Sequence, residues 1–264
     1  MRETITSRQH PLCKLVRSLH DVKGRRQHKL FVIEGGRSLM TAIHARWSIE
    51  RLLMRQEDVD VDWEELAHNL NIEIQPVAEE ILEYLGATET VPGLIALCKL
   101  PQLATADWNV EDLLLVLDGI GDPGNVGTLI RAADAAGAGG VLLTENSADA
   151  FNPKAVRATA GSIFNLPPIQ LAQRTPDAAV AALQARNIPI IAAVAHEGRD
   201  CFRYRWPRRC ALVLGHETRG ISPALEAAAT ARITIPIYGR AESLNVAMAG
   251  AVLLYAWRQS IEAF

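Results

Sequence analysis

The sequence predicts an α/β protein in two parts, a small alternating domain followed by a parallel sheet covered by helices on both faces. From residue 113 onward, short runs of Val, Ile and Leu alternate with helix-like segments, the pattern of strands buried on both faces. Glycine and polar residues collect at the strand-to-helix junctions, the edge where such sheets bind ligands. Charge separates the two parts: residues 1–55 carry +8, residues 56–112 carry −13 and residues 113–264 carry +2, within a total of −3. With 264 residues and 49% hydrophobic content, the chain buries at least one full core.

Along the first part, residues 11–20 have helical apolar spacing, Lys23-Gly24-Arg25-Arg26 reads as a basic turn, 31–35 as a strand, and a second helix begins at Ser38. Strands are expected over 49–55, 71–77 and 93–100, with acidic helices over 62–70 and 78–86. A linker is expected over 101–112, where Pro101 and acidic residues separate two apolar strands, giving domains 1–100 and 113–264. In the second domain the expected order is strand 113–118, helix 128–137 ended by Gly137, strand 139–146, helix 153–164, strand 166–172 and helix 175–187. Strands 188–195 and 210–215, helix 222–229, strand 233–237 and a last helix complete it.

Composition narrows the function classes. The four cysteines, at positions 13, 98, 201 and 210, show neither CxxC spacing nor a paired framework, so a reducing cytoplasm is expected and no metal site. No stretch reaches the roughly 18 apolar residues of a membrane span. The basic first segment is the electrostatic footprint of a polyanion partner, or alternatively a solvated face.

Three junctions carry the chemistry. In 118–137, DGIGDPGNVGTLIRAADAAG, the run Gly119 to Gly124 matches GxGxxG, with Glu145 placed 21 residues later, as in a dinucleotide fingerprint. The match is imperfect, because Pro123 precedes the third glycine and Asn125-Val126-Gly127 intervene before the expected helix. Arg131, one turn past Gly127, reads either as a snorkelling surface residue or as a fork for a phosphate or ribose oxygen. In 212–222, LVLGHETRGIS, His216-Glu217 lacks the spacing of a zinc motif, and Glu217 reads either as solvated or as a hydrogen-bond acceptor at the sheet's mouth. In 241–258, AESLNVAMAGAVLLYAWR, Ser243 and Asn245 stand where helix caps belong.

Together these segments resemble the three motifs of the SpoU, or TrmH-like, RNA 2′-O-ribose methyltransferases, in order and spacing: Asn125, Gly127 and Arg131; Gly215, Glu217, Gly220 and Ser222; Ile235-Pro236, then Ser243-Leu244-Asn245-Val246. The basic start and the stretch ATETVPGLIAL resemble the ribosomal-protein-like RNA-binding domain that many members carry in front. The resemblance implies a SPOUT fold with a deep trefoil knot, S-adenosylmethionine as cofactor, a homodimer, and methyl transfer to a ribose 2′-hydroxyl of a structured ribosomal or transfer RNA. It places cofactor contacts at Val194, Ala195, Gly215, Ile235 and Leu244, and RNA or catalytic roles at Asn125, Arg131, Glu217 and Asn245. Arg8, Lys14, Lys23, Arg25 and Arg26 are the expected RNA-gripping residues of the first domain. Where many members have serine after Asn-Val, this chain has Ala247. Two other classes stay open at this level, a non-catalytic RNA-binding protein on the same fold and an NAD-dependent oxidoreductase using the GIGDPG loop.

Overall fold

The structure, a computed structural model, describes residues 3–87, 93–101 and 110–262. The chain forms two compact units, the first comprising Met1–Gln102 and Phe151–Phe164, the second Leu103–Ala150 and Asn165–Phe264. Most of the expected linker lies outside the described residues.

The first unit starts with helices α1 (Pro11–Ser18) and α2 (Val22–His28), then β1 (Leu30–Glu34), α3 (Gly36–His44), β2 (Ile49–Arg55), α4 (Val61–Leu70), β3 (Glu73–Val77), α5 (Glu79–Leu85) and β4 (Leu94–Lys99). Its sheet has the order β1-β4-β2-β3, with β2 and β3 parallel and the other pairs antiparallel. One face packs under α1 and α5 through Leu12, Val16, Leu82 and Leu85 against Val32 and Leu97. His10 caps α1 with its ring nitrogen, and Asp60 caps α4 by accepting from the Trp63 amide.

The basic turn expected at residues 23–26 is instead helix α2. Gly24 permits it: a Cβ there would fall 2.0 Å from the Ser18 carbonyl oxygen, so only glycine lets α2 approach the end of α1 this closely. That approach turns Arg25 inward. It is 2% exposed, and its guanidinium donates to the carbonyls of Leu19 at 2.7 Å and His20 at 2.9 Å, satisfying acceptors that the end of α1 leaves unpaired. Arg25 is therefore a structural cation and not an RNA-facing one, a correction to the sequence expectation. Arg8, Lys14, Lys23 and Arg26 are exposed, and the Arg8 guanidinium lies 4.7 Å from the centre of the Tyr84 ring.

The second unit holds β5 (Leu114–Asp118), α6 (Pro123–Ala135) and β6 (Gly140–Leu143). The chain then returns to the first unit as α7 (Pro153–Ala158) and α8 (Ser162–Asn165), where the sequence suggests one helix of a single second domain. The break falls at Ala160 and Gly161, with φ of 49° and 100°. Phe151 and Phe164 join Phe31 and Trp47 in an aromatic cluster, with Trp47 Nε1 donating to the Phe164 carbonyl at 3.0 Å, which ties this excursion to the first unit.

The second unit continues with α9 (Pro176–Gln184), β7 (Ile190–Ala193), β8 (Arg199–Asp200), β9 (Ala211–Gly215), α10 (Pro223–Ala227), β10 (Ala231–Thr234) and α11 (Val246–Glu262). Its six strands lie in the order β6-β5-β9-β7-β10-β8, and all the pairs are parallel. The strand expected over 166–172 is absent: Pro167 and Pro168 donate no amide hydrogens, and Ile169 alone bridges to Leu142. Likewise β10 stops at Thr234, short of Ile235-Pro236. Gly250 lets α11 lie on α6, since a Cβ would meet Leu129 Cδ2 at 2.2 Å. All four cysteines are buried and free, and burial pushes the Cys98 and Cys210 thiols up to about 12. Among the described residues no helix is long and apolar enough to cross a membrane.

Because Arg25 serves α1 from inside the unit, Arg25→Ala is expected to lower stability by about 2–4 kcal/mol in chemical denaturation. Arg26→Ala, one residue on but exposed, should stay within about 0.5 kcal/mol of the parent.

Candidate active site

Three strand ends in the second unit open into the loops that carry the polar motifs. β5 runs into 119–122 and α6, β9 into 216–222 and α10, and β10 into 235–245 and α11. The last two loops and the end of β7 enclose a cavity of about 480 Å³ at the carboxyl edge of the sheet. Its floor is apolar, with Leu214, Ile233, Val246, Ala249 and Leu253, and its walls include Glu217, Glu226 and Glu242 together with Arg219, Glu226 being paired with Arg232.

Val194, Ala195, Gly215, Ile235 and Leu244 all line this cavity. The Val194 amide is taken by the Ile233 carbonyl, and the Ala195 carbonyl accepts from Thr234 Oγ1 at 2.9 Å, so the strand end is held in place by β10. Ile235 lies past the end of the ladder, where Pro236 interrupts pairing. Gly215 is required by the loop that follows: a Cβ would sit 2.3 Å from the Gly220 carbonyl carbon, because His216 and Gly220 exchange backbone hydrogen bonds across a tight turn. Gly220 itself adopts φ of 70°.

The polar motif residues meet at the rim. Asn125 Nδ2 donates to Glu217 Oε1 at 2.8 Å, and Asn245 Nδ2 donates to Asn125 Oδ1 at 3.4 Å, so one residue from each junction joins a single chain of hydrogen bonds. Asn245 also caps α11, its Oδ1 accepting from the amides of Ala247 at 2.9 Å and Met248 at 3.4 Å. One amide hydrogen of Asn245 and the remaining acceptor capacity of Glu217 stay available to a ligand. Ser243 lines the cavity without capping the helix.

Arg131 stands apart from this group. It is exposed, does not line the cavity and has no hydrogen-bond or ion-pair partner among the described residues. Six helical positions separate it from Asn125, which places the two roughly 120° apart around α6.

The dinucleotide reading of the first loop is corrected by the start of α6. The helix begins at Pro123, earlier than the sequence suggests, and Asp122 caps it by accepting from the Asn125 amide at 3.0 Å. A carboxylate thus occupies the position where a pyrophosphate would need bare amides. Gly124 and Gly127 lie inside the helix rather than in a phosphate-binding turn.

Sequence reasoning missed Asp118. This carboxylate, 5% exposed at the end of β5, accepts from Thr144 Oγ1 at 2.8 Å and from the Ser222 amide at 2.6 Å. It therefore pins the start of α10, and with it the Glu217 loop, to the end of β5. The available signal was an acid closing an otherwise wholly apolar strand. Asp118→Ala is expected to cost about 2–4 kcal/mol of stability and to speed amide exchange across 216–222; unchanged exchange there would remove Asp118 from this role.

Comparison with known proteins gives this geometry a context. Residues 112–255 match the SpoU rRNA methylase family, and residues 10–96 match the MRM3-like substrate binding domain. The chain is 33% identical to the 23S rRNA (guanosine(2553)-2'-O)-methyltransferase RlmP of Bacillus subtilis (strain 168), over 92% of this chain and 94% of that one. It is 34% identical to the 23S rRNA (uridine(2479)-2'-O)-methyltransferase of Streptomyces viridochromogenes, over 88% and 83%. Among solved structures, the SpoU methyltransferase AviRb of Streptomyces viridochromogenes in complex with AdoMet superposes with a TM-score of 0.87 at 27% identity, covering 97% of this chain and 99% of that one. With the motif residues assembled at one sheet edge and the family match spanning that whole region, the chain belongs to the SpoU rRNA methylase family.

Proposed function

We propose that this protein transfers the methyl group of S-adenosylmethionine to a ribose 2′-hydroxyl of ribosomal RNA. The observation that carries the reading is the joining of Asn125, Glu217 and Asn245 on the rim of a cavity with an apolar floor and carboxylate walls. The fit is chemical: the apolar floor suits an adenine ring, the ends of β7 and β10 present backbone groups, and Glu217 and Glu242 place negative charge beside a sulfonium and an ammonium, while Glu226 is paired with Arg232 at 3.3 Å. Val194, Ala195, Gly215, Ile235 and Leu244 would hold the cofactor, largely by backbone, where apolar side chains are tolerated. When bound, S-adenosylmethionine supplies the electrophilic methyl group, so the protein's tasks are alignment and charge.

Glu217 and Asn245 orient the ribose, the first accepting from a hydroxyl and the second donating its free amide hydrogen, while Asn125 holds both in register. Arginine stays protonated near neutral pH, so Arg131 acts on the developing alkoxide or the adjacent phosphate as a cation and not as a base. Its exposed place on α6, outside the lining of its own chain's cavity, supports a homodimer in which the arginine of one protomer serves the site of the other. The exposed Met248 and Tyr255 on α11 offer a face for such pairing.

The finer features of the family belong to the same proposal. A deep trefoil knot in the second unit is supported by the likeness to SpoU structures. The first unit grips structured RNA through Arg8, Lys14, Lys23 and Arg26, and a cytoplasmic site of action accords with an rRNA substrate and free buried thiols. The 23S rRNA substrates named for the two long-matching relatives favour large-subunit RNA over transfer RNA. A need for a 2′-hydroxyl excludes DNA as acceptor.

Calorimetric titration with S-adenosylhomocysteine should give saturable binding by the full chain, and ribose-methylation mapping of rRNA from cells lacking the protein should show one lost modification. Absence of both ends the reading. For Arg131, two singly inactive proteins, Arg131→Ala and Glu217→Gln, should complement when co-expressed, because each mixed dimer then contains one complete site and about half the parental rate. Mixed dimers that stay inactive would place the arginine in its own chain's site.

A further inference from the structure

The segment 199–209, RDCFRYRWPRR, holds five arginines and three aromatic residues against one acid, and none of the motifs above accounts for it. Two of the arginines have structural work: Arg208 pairs with Asp112 at 2.8 Å, and Arg209 donates to the Val110 carbonyl at 2.8 Å. Arg199, Arg203 and Arg205 are exposed on the same loop, with Arg203 3.6 Å from Asp200 and the Arg199 guanidinium 5.9 Å from the centre of the Tyr204 ring. The Cys201 amide donates to the Thr234 carbonyl, Phe202 and Tyr204 amides donate to Asp200, and Trp206 donates through Nε1 to the Cys201 carbonyl and through its amide to Ser260.

This frame holds Phe202 in solvent, 57% exposed, with the Arg203 side chain 89% exposed beside it. Phe202, Arg203, Tyr204 and Arg205 form one wall of a groove of about 280 Å³, and Ala256, Gln259 and Ser260 of α11 form the other. Asp200, the acid of the segment, lies 3.6 Å from Arg203 and does not line the groove, whose charged lining residues are Arg203 and Arg205. Exposed rings interleaved with guanidinium groups offer stacking for bases and contacts for phosphates, the pairing by which single strands are held without base-specific readout.

Position favours the same occupant. Thr234 joins this loop, through its carbonyl, to the cavity wall, through its hydroxyl on Ala195. Along α11, the groove residues begin three positions after Leu253 of the cavity floor and end fifteen after Asn245, a rise of roughly 5–20 Å from the cavity.

We propose that this groove is a second RNA-binding surface, which takes a single-stranded segment flanking the target nucleotide. It rests on the reading of the protein as an RNA-modifying enzyme, and it adds to the RNA grip of the first unit a contact on the catalytic unit itself.

The test compares the full-length parent with Phe202→Ala/Arg203→Ala/Arg205→Ala, and with the milder Phe202→Ser, for binding of a fluorescent single-stranded RNA 12-mer across a salt series. S-adenosylhomocysteine titration and sedimentation velocity are run on each protein. The triple variant should bind the RNA roughly ten- to hundredfold more weakly and with a salt slope shallower by about 1.4, whereas S-adenosylhomocysteine affinity and sedimentation should match the parent. Phe202→Ser should lose roughly five- to tenfold with its salt slope unchanged. Unchanged RNA affinity in both variants overturns the groove alone, because the parent would still bind RNA and S-adenosylhomocysteine. A variant that changes from dimer to monomer assigns the surface to a second copy of the chain and overturns it as well. A parent that binds neither ligand defeats the methyltransferase reading and the groove together.

Discussion

The organisation of the site depends on one buried carboxylate. Asp118 stands at the end of β5, and it accepts one hydrogen bond from Thr144, just past the end of the neighbouring β6, and one from the amide of Ser222, the last residue of the β9–α10 junction. A charge so deeply placed is tolerated only when its lone pairs are matched, and matching them fixes where the flanking loops can lie. The close return of Gly220 onto Gly215 then sets the path of the loop, and Glu217 arrives within hydrogen-bond distance of Asn125. The rim is thus the outcome of backbone constraints several residues away from it.

Arginine illustrates how context divides one side chain among different tasks. Arg25 is drawn inward because Gly24 brings α2 against the end of α1, and it becomes the partner of orphan carbonyls. Arg208 and Arg209 fasten the 199–209 segment to residues 110–112. Arg131, with no such partner among the described residues, stays exposed at the surface of α6. A count of basic residues therefore overstates the charge available to RNA in the first unit, and it overlooks the charge that the second unit presents.

Much of the architecture was legible before any coordinates. The parallel sheet followed from apolar runs at 114–118, 190–193 and 211–215, because a strand buried on both faces has no polar alternation to show. The expectation failed where local chemistry outweighed hydrophobicity: Pro167-Pro168 removed a strand, Asp122 with Pro123 started α6 early, and Ala160-Gly161 split a helix. Residues 151–164 were assigned to the wrong neighbour for a different reason, since the aromatic cluster of Phe31, Trp47, Phe151 and Phe164 is assembled from positions far apart in the chain.

The amino-acid sequence by itself determined most of the elements, the three polar junctions and the family to which they point, because these are written in local composition and spacing. Only the tertiary structure decided that Asn125, Glu217 and Asn245 touch, that Asp118 anchors their loops, that Arg25 is withdrawn and that Arg131 stays exposed outside the cavity lining. Those outcomes turn on distances of a few ångströms between residues as much as 120 positions apart, set by how closely glycines let backbones approach, and no pattern along one dimension carries that information.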